Sequence, residues 1–290
     1  MTTTMAHART SPSLDRRSRL SPRQARRIGN TVLGFALVVA MLFPFYWMVN
    51  SSFAPTGTTL TRSIIPLEPT FDGYIKAFSQ QGKALATSAT IAVSSVVLCL
   101  AISAPAAFAV AHFRLRGIRL ILGFILITQM IPGIIVANSL YTLYNSWGLL
   151  NSIPGLVLAN ATTSIPFAVL VMSAYMQALP RELIEAARVD GASYFRAFVS
   201  IVLPVSKNAI MTAAIFTFMD AWGDFLFALT LTTTDDVRPV TLSLYNYISS
   251  DYIEWNAVMA TATLASIPAL AFLLFAQKYI AAGTSSGALK

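Results

Sequence analysis

The sequence predicts an all-α membrane protein with six transmembrane helices, and three observations carry that prediction. The 290 residues are 56% hydrophobic and only 11% charged, whereas a soluble domain carries about 25% charged residues. Asp, Glu, Lys and Arg are absent from four long windows, 28–61, 84–113, 120–180 and 255–277. Each is long enough for at least one bilayer-spanning helix of about 20 residues. The basic residues are also placed asymmetrically. Counted from a cytoplasmic N-terminus, the segments on that side hold 16 of the 20 Lys and Arg, which is the positive-inside pattern.

Taken in order, residues 1–27 hold seven arginines and one acid, Asp15, among Ser, Thr and Pro. That composition predicts a disordered cytoplasmic tail. The apolar run from Ile28 to about Ser52 is too long for the apolar core of a signal peptide and reads as the first span of a domain covering 28–290. Residues 53–83, with four prolines or glycines among their first seventeen, read as an external loop in which Phe71 to Phe78 can form a short interfacial helix. The second span is expected over 84–111 and the third over 120–138, joined by a short basic turn. Residues 141–151, with Tyr141, Tyr144 and Trp147, read as an interfacial hairpin. The fourth span follows over 153–176, the fifth over 208–231 and the sixth over 257–279, with a polar loop at 232–256 holding Asp235, Asp236, Asp251 and Glu254. Both termini are then cytoplasmic. Pro105, Pro132, Pro166 and Pro268 each fall inside an expected span. Two readings stand for them: kinks that free backbone carbonyls, or the ordinary abundance of proline in membrane helices.

Between the fourth and fifth spans lies a polar island, Pro180 to Pro204, in an otherwise oily chain. Glu182 suits the positive end of a helix beginning at Pro180, and L-I-E-A-A-R-V is built of good helix formers. Gly191 is a natural stop, since glycine accepts the left-handed backbone of that position. A second helix begins near Ser193, with Tyr194, Phe198 and Val202 on one face, expected to pack inward with Phe195 and Val199 beside them. Leu203-Pro204 is expected to end it, because proline removes a donor and clashes with the preceding turn. The result is a two-helix knob with the small residues Ala186 and Ala187 at its exposed part and Glu185 beside them. Physics alone leaves two readings, a protein-docking knob and amphipathic helices resting on lipid.

Glu185-Ala186-Ala187, then Gly191, Ile201, Leu203 and Pro204, resembles in residues and spacing the EAA signature of permease subunits of bacterial binding-protein-dependent ABC importers. The stretch A-W-G-D-F-L-F-A-L over 221–229 resembles the W-N-(D/E)-F-L-x-x-L segment of carbohydrate-type permeases, with Gly223 in place of the usual Asn. The ending A-A-G-T-S-S-G-A-L-K resembles the tail of the six-helix inner-membrane subunits of maltose-type systems. The resemblance implies the type I ABC importer permease fold and a coupling loop at 180–204 that seats on a cytoplasmic ATPase. Glu185, Ala186, Ala187 and Gly191 would form the docking surface, with Ile201, Leu203 and Pro204 as its anchor. It also implies a second permease subunit that is a different chain, two ATPase subunits, an external sugar-binding protein, and a sugar, most simply a di- or oligosaccharide, as cargo in the bacterial cytoplasmic membrane. No G-x-x-x-x-G-K-(S/T) occurs, so ATP and Mg²⁺ would bind the partner ATPase and no cofactor is expected in this chain.

Asp220 and Asp224 are four residues apart, on one face of the expected fifth span, with Trp222 between them. Acids in a span are costly and default to function. Three readings are open: a polar face of the transport path or gate, hydrogen bonding between helices, and proton coupling, which would make the chain a secondary transporter. Cys99 is alone and reads as a buried or lipid-facing side chain. The basic charge is spread over loop ends without the clustered face of a nucleic-acid site. With two histidines and no nucleophile–base or metal-ligand constellation, the sequence argues against an enzyme.

Overall fold

The structure is a computed structural model that describes residues 22–55, 64–66, 68–113, 116–248 and 254–285. The arginines up to Arg19, Asp251 and the final residues of the chain lie outside the described residues. The chain falls into two units, one ending at Trp47 and one beginning at Met48.

The first unit is helix α1, Pro22–Ser52, whose last residues enter the second unit. It starts earlier than expected, at a proline suited to a first turn, so Arg23, Arg26 and Arg27 belong to its opening turns. Its side chains are exposed throughout 26–46.

The second unit is built around α2, Asp72–His112. At 41 residues it is about 60 Å long, roughly twice the hydrocarbon thickness of a bilayer. The expected interfacial helix at 71–78 and the second span are therefore one continuous helix, and Lys76 and Lys83 sit on it. Its buried positions are mostly small: Ala77, Ala84, Ser88, Ala92, Ser95, Cys99, Ser103, Ala104 and Ala107. Small residues let helix backbones approach closely in a membrane, where packing rather than water exclusion drives association. Helices α5 (Ile153–Gln177), α9 (Lys207–Gly223) and α12 (Trp255–Ser285) all pack against α2. Cys99 is fully buried, with the Thr217 hydroxyl donating to its sulfur at 3.4 Å.

Two expected spans are sharply bent. The third is α3 (Ile118–Thr128) and α4 (Gly133–Trp147), turned by 92°. Pro132 is the N-cap of α4, so the proline marks a break there, whereas Pro105, Pro166 and Pro268 lie inside uninterrupted helices. A methyl on Gly133 would meet the Leu226 side chain at 3.2 Å, so glycine permits the close approach of α4 to α10, Leu226–Leu231. Helix α4 also absorbs most of the expected interfacial hairpin. The segment 194–205 meets α9 at 77°. Among the described residues four helices are long and apolar enough to cross a membrane, and six spans result when each bent pair counts as one. Pro105, Pro166 and Pro268 thus leave the helical hydrogen-bond ladder interrupted but the helices unbroken.

At the far end of the unit from the island, α11 (Val240–Ile248) lies within the expected polar loop. The Val240 amide donates to Ser88 Oγ at 2.8 Å, and Lys76 Nζ bonds both Glu254 oxygens at 2.7 and 2.8 Å. These contacts tie the starts of α11 and α12 to α2. Burial and the nearby Glu254 carboxylate raise the Tyr247 phenol above its ordinary range, with Lys76 pulling the other way.

Candidate functional site

The island folds as α6 (Glu182–Val189), a turn, α7 (Tyr194–Ala197), one π-helical turn (Phe198–Val202) and α8 (Leu203–Val205). Gly191 has φ +81°. Its amide donates to Arg188 O at 3.1 Å and the Ala192 amide to Ala187 O at 2.9 Å, the paired bonds of a Schellman stop. Ser193 starts the second helix, its hydroxyl accepting from the Arg196 amide at 3.2 Å, as an N-cap serine does. Arg188 fastens the two halves together: its guanidinium donates to Ala192 O at 2.9 Å and lies 4.4 Å from the centre of the Tyr194 ring. That role of Arg188 was not anticipated from sequence, although arginine in the last turn of α6 followed by an aromatic six residues on is the signal for it.

The island is seated on three spans. Ile184, Ala187, Ala197, Phe198 and Val202 share one buried cluster with Cys99, Ala104, Ala107 and Phe108 of α2, Ala168, Met172 and Met176 of α5, and Ala209 and Ala213 of α9. The Phe198 and Phe108 rings lie 5.1 Å apart. Ile201 and Leu203 pack partly buried against the same cluster. Three expectations need correction. Ala187 is buried, at 7% exposure, whereas Ala186 and Glu185 face outward, because a helix seated on one face cannot present two consecutive residues equally. Tyr194, Phe195 and Val199 are exposed, Phe195 at 75%, so the inward face is narrower than the aromatic pattern suggested. Pro204 does not end the helix. The Leu203 amide bonds Phe198 O, five residues back. This wider turn precedes the proline, which has no amide to place, and the chain breaks at Ser206 instead. Among the described residues the Glu185 carboxylate makes no hydrogen bond or ion pair within the chain.

A second polar place lies within the span bundle. Asp220 on α9 accepts at Oδ2 from the hydroxyls of Thr163, at 3.2 Å, and Ser164, at 3.4 Å, both on α5. These residues, with Thr217, Phe167, Phe216 and Gln129, line a cavity of 240 Å³. Phe167 and Phe216 meet edge to face at 5.1 Å. Gln129 reaches the cavity because it sits at the C-terminus of α3, where the 92° bend begins. Sequence reasoning found Asp220 and missed its neighbours. The available signals were the T-T-S run at 162–164 in an apolar span and Phe216 four residues, about one helical turn, before Asp220.

Asp224 and Trp222 do not join Asp220 there. The expected fifth span breaks after Gly223. Asp224 has extended backbone, φ −61° and ψ 128°, and its carboxylate accepts from the amides of Phe227 and Ala228 at 3.1 Å each. It thus satisfies the otherwise orphaned donors at the start of α10 and does not share a helix face with Asp220. Trp222 is buried. Its indole N–H donates to Ala265 O of α12 at 3.0 Å, and its ring stacks on Phe218 at 5.7 Å. A buried indole needs an acceptor, and here that acceptor is in the α9–α12 packing.

A bundle of apolar spans with a polar knob seated across three of them at one end is the architecture of a transmembrane permease subunit. The chain belongs to the family of binding-protein-dependent transport system inner membrane components, whose pattern matches residues 100–286. It is the non-catalytic membrane subunit of an ABC importer. It is 34% identical over 263 residues to the trehalose transport system permease protein of Mycobacterium tuberculosis, covering 89% of this chain and 94% of that one. It is 31% identical over 271 residues to the trehalose/maltose transport system permease protein of Thermococcus litoralis, covering 91% and 97%. Its fold matches a chain in the crystal structure of a bacterial ABC transporter involved in the import of the acidic polysaccharide alginate. The TM-score there is 0.77 at 21% identity, over 90% of this chain and 99% of the other.

Proposed function

We propose that this chain forms one half of the pathway of an ATP-driven importer of a sugar, a di- or oligosaccharide, across the bacterial cytoplasmic membrane. Both termini and the island lie on the cytoplasmic side, a reading that the positive-inside count supports. A second permease subunit of different sequence completes the pathway, and an external binding protein delivers the sugar. Two ATPase subunits hold the ATP and Mg²⁺. The sugar reading is supported by relatives whose names specify trehalose, maltose and diacetylchitobiose.

The observation that carries the coupling reading is the two-sidedness of the island. One side is built into the span packing, and the other leaves Glu185, Ala186 and Gly191 facing outward. Ala187, Ile201 and Leu203 pack the knob against the spans, while Pro204 is exposed, so a displacement of the knob is transmitted to α2, α5 and α9 together. Closure of the nucleotide-binding pair then shifts the spans between inward- and outward-facing arrangements. This works only when the ATPase binds the knob differently in the two states, because equal binding shifts nothing.

The test is uptake into proteoliposomes holding this chain, its partner permease and the ATPase, with the binding protein outside. Labelled trehalose, maltose and diacetylchitobiose serve as cargo. Uptake should require internal ATP and the ATPase and should survive a protonophore. Uptake that persists without the ATPase and collapses with the protonophore would overturn the reading in favour of proton coupling.

A further inference from the structure

The cavity beside Asp220 combines features that an interhelical strap alone does not need. Asp220 bonds Thr163 and Ser164 through one oxygen only, and among the described residues Oδ1 accepts nothing. Gln129 is exposed, and among the described residues its side-chain amide has no partner, although it borders the same cavity. A free carboxylate oxygen and a free amide are thus presented together beside two aromatic rings, Phe167 and Phe216.

We infer that this chain touches its cargo directly, and that the cavity formed by Asp220, Gln129, Thr163 and the Phe167–Phe216 pair takes one neutral ring of a saccharide. The inference rests on the sugar-import reading above. A sugar ring offers hydroxyls around its rim, which donate to a carboxylate and both donate to and accept from an amide. It offers C–H groups on its faces, which suit an apolar aromatic wall. Among the described residues the lining holds no Lys or Arg. An acidic ring would therefore meet Asp220 as a like charge and be repelled. The size agrees: 240 Å³ is below the roughly 300–1,000 Å³ of a pocket that encloses a whole drug-sized ligand, so the cavity holds part of a di- or oligosaccharide. So does the depth. In α5, Ile153–Gln177, Thr163 is about 15 Å from one end and about 21 Å from the other. That is the mid-membrane level at which transporters hold cargo.

Two variants separate cargo contact from a strap. Gln129→Ala removes a side chain that bonds nothing in the described chain, so the fold has nothing to lose. Asp220→Asn keeps an oxygen to accept from Thr163 and Ser164 while removing the charge. The complete importer with its binding protein is assayed in ATP-loaded proteoliposomes with whichever of labelled trehalose, maltose or diacetylchitobiose the wild type takes up. Each variant should lower sugar moved per ATP hydrolysed by about tenfold, the equivalent of one good cargo hydrogen bond. Binding-protein-stimulated ATP hydrolysis and Tm should stay at wild-type values. Wild-type transport per ATP in both variants would overturn the site and leave sugar import standing. A parallel fall in transport, ATP hydrolysis and Tm would overturn it in favour of the strap. Failure of the wild type itself to take up any of the three sugars would instead count against the sugar reading, and the site would fall with it.

Discussion

The island and the Asp220 cavity both interrupt an apolar chain with polar groups, yet they are built in opposite directions. The island turns its apolar side to the spans and its polar side outward, with Phe198 and Val202 buried and Glu185 exposed. The cavity turns its polar groups toward one another between α5 and α9, with Phe167 and Phe216 at its wall. The island is one contiguous stretch held by packing. The cavity is assembled from three separate stretches and held by two hydrogen bonds. The first is suited to transmitting force, because a packed seat moves as a body. The second is suited to recognition, because its donors and acceptors are few and directional.

If packing is what makes the island a transmitter, loosening its seat should have the largest effect. Phe198→Ala removes the ring that meets Phe108 at 5.1 Å and leaves a hole in a cluster shared with three spans. A buried Phe→Ala change costs about 3–5 kcal/mol. The lower end is expected here, since the lost packing is near the bundle's edge. ATP hydrolysis should continue while uptake falls at least tenfold, read by parallel assays on the same proteoliposomes. Uptake still proportional to ATP hydrolysis would mean that the seat does not transmit.

The outward side is tested by Gly191. Nothing lies within 4 Å of a methyl placed there, but φ is +81°, so the barrier to substitution is backbone strain rather than a clash. That strain is about 1–2 kcal/mol for most residues and smaller for Asn and Asp. Gly191→Asn therefore should keep most uptake. Gly191→Asp, equally tolerated by the backbone, adds a charge to the proposed docking surface and should reduce co-purification of the ATPase with membrane insertion unchanged. Equal behaviour of the two variants would remove Gly191 from that surface.

The same contrast explains what was legible in the sequence. Five of the six spans follow from charge-free windows, and the island follows from a local run whose stop at Gly191 and start at Ser193 both appear in the structure. The bends do not follow, because hydropathy has no direction: an apolar run reads alike whether straight or turned by 92° at Pro132. The π turn before Pro204 was equally hidden, since a proline after a helical run reads as a stop. The cavity was half legible. Asp220 stands out as an acid in a span, but Gln129 reaches it only through the bend, and Thr163 and Ser164 only through the α5–α9 packing. Asp224 does not share the expected face with Asp220, because four-residue spacing implies a shared face only in an unbroken helix, and here the helix breaks at that residue.

The smallest expected effect sharpens the boundary of the cavity. Trp222 is two residues from Asp220 in sequence, but its indole N–H is committed to Ala265 O at 3.0 Å and its ring to Phe218. Trp222→Phe keeps an aromatic ring against Phe218 and deletes the donor, leaving one carbonyl without its extra partner. A single net hydrogen bond is worth about 1 kcal/mol. The variant should lose a few degrees of Tm in detergent while transporting the same amount of sugar per ATP as the wild type. That outcome separates a residue that holds α9 to α12 from one that meets cargo. A lowered transport ratio at unchanged Tm would instead place Trp222 on the path and extend the site from the α5 side of α9 to the α12 side.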